Sequence, residues 1–172
     1  MDRTDVGLKA VAKALTDVIG PSIDPKDPLA KEQLKLAVDY IEFVRARYDD
    51  IHARERFDLK HYSRMADAIG KSGLPSSEAS RLAGARDEAA RTLADVEATT
   101  PQVRTAAMEL AAVVADVVQK APSFGSEVRH KIEIAVLDAT DERVAMERAW
   151  YLPMGFDPTP QLAGDLAELL KG

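Results

Sequence analysis

Residues 27–51 read DPLAKEQLKLAVDYIEFVRARYDDI, and this stretch decides the fold class. Asp27 offers a carboxylate to the free amides of a first helical turn. Pro28 fits the first helical position, where its missing N–H leaves no partner unsatisfied. Leu34, Ala37, Ile41, Val44, Tyr48 and Ile51 then recur at alternating steps of three and four, which is a heptad seam. Leu36, Tyr40 and Phe43 stand outside that seam and widen the apolar face, so this helix is expected to meet more than one neighbour.

The next two seam positions are Glu55 and Asp58, and the apolar pattern resumes out of phase at Leu59, Tyr62, Ala66 and Ile69. One straight helix over 28–69 would be about 63 Å long. A compact chain of this size has a radius of gyration of only about 15–16 Å. The expectation is a long helix over about 28–53, broken or bent at 54–58 where it continues to 69.

Working outward, the same helical period fills the rest of the chain. A first helix is expected over 4–19, with Leu8, Val11, Leu15 and Val18 inward, ended by Gly20-Pro21. Further helices are expected over 76–98 with Leu82, Ala85, Ala89, Leu93 and Val96 inward, over 100–120 with Val103, Ala106, Leu110, Val113, Val114 and Val117 inward, and over 126–151 with apolar residues on two sides. Thr159-Pro160 opens a short last helix over about 160–171. No stretch alternates with the two-residue period of a strand. The fold class is therefore all-α: a mostly antiparallel bundle of five to six helices, one domain over 1–172, with the last helix docked by the 150–159 loop.

Composition removes several function classes. There is no cysteine among the 172 residues, so disulfides, thiolate metal sites and cysteine nucleophiles are excluded. The net charge is −6, and the densest run of cations, Arg45, Arg47, Arg54, Arg56, Lys60 and Arg64, is interleaved with acids, so nucleic acid is not an expected partner. The longest apolar stretch, around 110–118, is broken by Asp116 and too short to span a bilayer, so no membrane partner is expected. The first residues carry no apolar run behind a basic one, which together with the missing cysteines suggests the cytoplasm. Helical His-x-x-x-His pairs, phosphate-binding glycine loops and nucleophile elbows are all missing, so no catalytic residue, cofactor or metal is assigned.

Two features remain. Each of the three histidines has an acid three residues earlier, in Asp49/His52, Asp58/His61 and Glu127/His130. Acid and histidine at that spacing form half of a carboxylate-bridged metal site when they project inward. By helical angle the pairs mostly point away from the apolar stripes, although His52 flanks its seam, so exposed acid–histidine pairs are expected; His130 lies in line with Ile134 and Leu137 on the second apolar side of its helix, which makes Glu127 and His130 the weak metal alternative. The second feature is the segment 150–156, WYLPMGF, which holds three of the nine aromatics and must be covered by the chain or by a partner. With helix 28–53 it defines a candidate partner or ligand surface of Tyr40, Phe43, Trp150, Tyr151, Met154 and Phe156. The expected function is a non-catalytic interaction module that associates with itself or with another protein. The alternative is a small-molecule or metal site between the second and fifth helices.

Overall fold

The structure is a computed structural model and describes residues 3–171. It is all-α, 85% helical, with no strand among the described residues. The chain forms two compact units: one takes in the residues up to Asp49 together with Arg148–Ala163, the other Asp50–Glu147 and the residues from Gly164 onward.

The first unit is a helical hairpin. Helix α1, Thr4–Ala14, runs on through a π-helical turn at Leu15–Ile19 and a 3-10 turn at Gly20–Ser22. Helix α2, Pro28–Arg47, starts as expected, with the Ala30 amide donating to Asp27 Oδ1 at 2.9 Å. Gly20 lets the end of the first arm approach α2 closely, since a Cβ there would sit 3.2 Å from the Leu34 side chain. Near the other end of the hairpin, Arg45 Nε donates to Asp5 at 3.0 Å. Ala12 is buried and Leu8 and Leu15 are half-buried, but Val11 and Val18, expected inward, are exposed. Val11 lies about 60° round α1 from Leu8, off the side that α2 covers.

The second unit holds α3 (Ile51–Gly70), α4 (Ser76–Ala94), α5 (Thr100–Lys120), α6 (Ser126–Tyr151) as far as Glu147, and α7 (Leu166–Lys171). Helices α3, α4 and α5 pack on one another around Leu59, Ile69, Leu82, Val103, Leu110 and Val117, and α6 adds Ile132 and Ala135 to the same core. Between α3 and α4 the chain turns at Gly73, whose φ of 91° suits a residue without a side chain. Helix α4 stops at Ala94 rather than 98, because Asp95 turns extended and its carboxylate accepts the Glu97 amide at 2.9 Å. Val96 is thereby left exposed while Ala98 is buried. The C-terminal region is a 3-10 turn at Pro160–Leu162 and then α7, restarted by Asp165, which accepts the Ala167 amide at 2.8 Å. Helix α7 contacts α3, where Lys60 Nζ donates to the Lys171 carbonyl.

The interruption expected at 54–58 lies elsewhere. The path is α-helical from Ile51 through Gly70, and between Pro28 and Gly70 the irregularity is the 3-10 turn Tyr48–Asp50. Polar residues at the failed seam positions do not break the helix, because each finds a partner. Glu55 meets Arg104 of α5 at 2.7 Å, and Asp58 meets Arg143 of α6 at 2.6 Å.

Candidate functional site

Four of the six residues expected to form a surface come together in the first unit. Phe43 on α2 is the hub. Its ring stacks on Tyr151 at 5.6 Å and 12°, meets Trp150 edge-on at 6.4 Å, and lies 6.0 Å from Tyr40. Phe43 and Trp150 are each 9% exposed, whereas Tyr40 and Tyr151 are 60% and 53% exposed, so the cluster has a buried floor and a wet rim. Of the other two expected residues, Met154 is half-buried, and Phe156 is exposed and outside these ring contacts.

Arg47 fastens the cluster. One turn beyond Phe43, it donates from Nε to the Trp150 carbonyl at 2.8 Å and from Nη2 to the Ala149 carbonyl at 2.9 Å. These are carbonyls of the last turn of α6, and a guanidinium suits the negative end of the helix dipole. The same guanidinium lies 5.7 Å from the Trp150 ring centre, in cation–π range. Beyond Tyr151 the chain turns at Gly155, with φ 74°, and returns to α6 through Asp157. Arg148 donates to both Asp157 oxygens, at 2.9 and 3.1 Å, and to Thr159 Oγ1 at 2.8 Å. The Arg148 bond, followed by the Thr159 amide, lowers the Asp157 carboxyl to about 2.

The Phe43 face of α2 runs on past the cluster. Leu36 and Leu29, at steps of seven before Phe43, continue the row with Tyr40 between, and they are 45% and 63% exposed. The opposite side of α2, where Leu34, Val38 and Ile41 are half-buried, faces α1. Thus α2 is apolar on two sides, as its sequence implies, and only the Phe43 end of the second side is covered.

The second unit holds a belt of charge between α3 and α6. Arg54 pairs with Glu147 and lies 3.5 Å from Asp58; Arg143 bridges Asp58 at 2.6 Å and Glu147 at 2.8 Å. Two guanidiniums and two carboxylates therefore balance in a mostly buried position, an arrangement that favours one register of the two helices over others. Burial holds the Asp58 carboxyl above its ordinary value, against the pull of Arg54 and Arg143.

One helical turn along, His61 is 3% exposed, stacked on Phe57 at 6.1 Å, with Nδ1 3.4 Å from Glu142 of α6. Arg64 takes the same carboxylate at 2.6 Å. Burial lowers the imidazole from its ordinary value, and the Glu142 bond offsets part of that.

His61 corrects the expectation of exposed acid–histidine pairs, and none of the three pairs forms among the described contacts. Asp58 goes to arginines and His61 to Glu142, His52 meets Thr100 Oγ1 at 3.0 Å, and Glu127 is taken by Lys131 at 2.6 Å. By helical angle His61 lies opposite Leu59, Tyr62 and Ala66, but on the same side as Phe57. Phe57 is almost fully buried and stands one turn before His61 on the same side, which is the signal that could have found it. His130, the weak metal alternative with Glu127, is exposed, and no group of three or more metal-ligating side chains converges among the described residues. The six cations of the basic run are all engaged: Arg45 by Asp5 and Glu42, Arg56 by the Leu93 carbonyl, and Arg47, Arg54, Lys60 and Arg64 as described. Among the described residues no helix is long and apolar enough to cross a membrane.

No protein-family model, curated relative or solved structure matches the chain.

Proposed function

We propose that this chain is a non-catalytic interaction module that pairs with a second copy of itself through the second face of α2. The observation that carries this reading is the row Leu29, Leu36 and Tyr40, all exposed, running into the buried Phe43 and the exposed Tyr151. An apolar row of this length, with an aromatic cluster at one end, has the composition of an interface core.

A second copy suits the row better than a different protein because of what the first unit lacks. A two-helix hairpin presents each helix with one neighbour, and two such hairpins laid together supply the four-helix packing that covers both sides of α2. A two-fold contact also uses the same patch on both partners. Lys35 and Asp39, beside the row, already pair with each other, so the flank brings no unmatched charge into the contact.

Sedimentation equilibrium of the intact chain tests this. A dimer at micromolar concentration, lost with Tyr40→Asp, supports the reading; a monomer throughout that range defeats it.

A further inference from the structure

Within the second unit a cavity of about 240 Å³ opens between α3 and α6 beside His61. Met65, Ala68, Ala135 and Ala139 supply its apolar lining, and Arg64, Asp138 and Glu142 its charge. His61 carries the decisive atom. An imidazole has two nitrogens, and a polar atom on so buried a side chain ordinarily has a partner. Nδ1 has Glu142. Nε2 has no hydrogen-bond partner among the described residues and is not sealed off from solvent either, so on a ring that lines the cavity it is the nitrogen left open.

The chemistry of the occupant follows from the groups around that nitrogen. Burial pushes the Glu142 carboxyl up, but the bonds from Arg64 and His61 outweigh it and hold it ionised below its ordinary range. An ionised carboxylate at Nδ1 selects the tautomer that carries its proton there, which leaves Nε2 a hydrogen-bond acceptor. The Arg64 charge is matched by Glu142. Asp138, exposed and outside the ion pairs among the described residues, leaves the lining net negative. The cavity therefore asks for a donor that is positively charged, on a body small and apolar enough to lie against three alanines and a methionine.

We propose that this cavity binds a small organic cation, a primary ammonium on a short aliphatic chain. Its N–H donates to His61 Nε2, its charge faces Asp138, and its chain lies against Met65, Ala68, Ala135 and Ala139. This site is independent of self-association through α2.

Long-range ¹H–¹⁵N correlations of the three imidazoles, recorded on the intact chain at about pH 7.5, test the proposal with n-butylammonium chloride as probe. A saturable shift at His61 Nε2 is expected, with a Kd on the order of millimolar, and none at His52 or His130. Sodium butyrate and n-butanol at the same concentrations should leave His61 unsaturated. Asp138→Asn should weaken butylammonium roughly three- to fivefold, the scale of one exposed charge pair. Ala139→Leu should abolish binding while the helical circular dichroism stays intact. A His61 resonance that moves only linearly with salt, or that responds equally to butyrate, overturns the proposal. If Ala139→Leu fails to fold, the Asp138→Asn series decides, and an affinity unchanged by that substitution overturns the assignment of a cation.

Discussion

The unit around α3, α4 and α5 buries Phe57, Leu59, Ile69, Leu82, Leu110, Val117, Ile132 and Met146. Among the described residues, the unit around α1 and α2 buries Ala12, and otherwise only Phe43 with the Ala149 and Trp150 that the last turn of α6 brings to it. It leaves Val6, Val11, Val18, Leu29, Leu36 and Tyr40 exposed. The main helices of the two units share the same apolar period. What differs is the number of neighbours. Three mutually packed helices cover one another's stripes, whereas in a pair each helix covers one side of the other. Sequence period tells which residues want cover; topology decides which of them get it.

The largest effect that can break this contrast comes from Trp150. Its cover, Phe43 and Arg47, belongs to the same chain. Trp150→Ala is therefore expected to cost about 3–5 kcal/mol and to leave two carbonyl bonds of Arg47 without a fixed frame. Leu110→Ala, at the centre of the other unit, is expected to cost about 2–5 kcal/mol. Urea unfolding followed by circular dichroism measures both. A Trp150→Ala protein with an unchanged midpoint would show that the α1–α2 unit holds together without this aromatic anchor.

Smaller, and confined to association, is the effect of Tyr40→Asp. The side chain is exposed, so the monomer's stability should shift by no more than about 0.5 kcal/mol. The dimer should weaken by at least about tenfold, since a carboxylate would be buried against an apolar row. Lys35→Ala, on the flank, should leave the association constant unchanged. Equal responses from the two substitutions, in sedimentation, would place the interface somewhere other than the second face of α2.

How much of this was legible differs between the units for the same reason. Of the α5 positions expected inward, Val103, Ala106, Leu110, Val114 and Val117 are buried and Val113 is half-buried, because a helix with neighbours on its apolar side buries most of what its period says. The aromatic cluster was legible as a set of residues needing cover, since Phe43 and Trp150 are too large and apolar to stay wet. That Phe43 covers Trp150 was not legible, because period carries no information on contacts 107 residues apart. Val11 and Val18 were misplaced for want of a neighbour count. The belt of Arg54, Asp58, Arg143 and Glu147 was invisible because each half, read alone, looks like a solvated helix face; only the pairing of α3 with α6 turns two polar stretches into one neutral network. His61 was misplaced by the same habit of taking polar for exposed.

The smallest expected effect, in pH dependence, separates the units by window. In the α3–α6 unit, burial lowers His61 from an ordinary value of 6.5, against the partial pull of Glu142 and with Arg143 and Arg64 adding to the lowering. The unfolded chain then binds this proton more readily than the folded one, so stability is present above 6.5 and declines as pH falls from about 7 towards 5. Asp58 works the other way at lower pH: its folded value is raised, so protonation just above 3.8 favours the folded state. In the α1–α2 unit, Asp157 sits at about 2 through Arg148 and the Thr159 amide, and its contribution is held down to 3.8 and lost between there and 2. His61→Gln should accordingly flatten the stability profile between about pH 7 and 5 and leave its acid end alone. Asp157→Asn should flatten the stretch between about pH 4 and 2 and leave the neutral range alone. Urea midpoints across pH for the two variants measure this. If His61→Gln leaves the decline between pH 7 and 5 as steep as before, burial between Phe57 and α6 does not hold the imidazole in its neutral form.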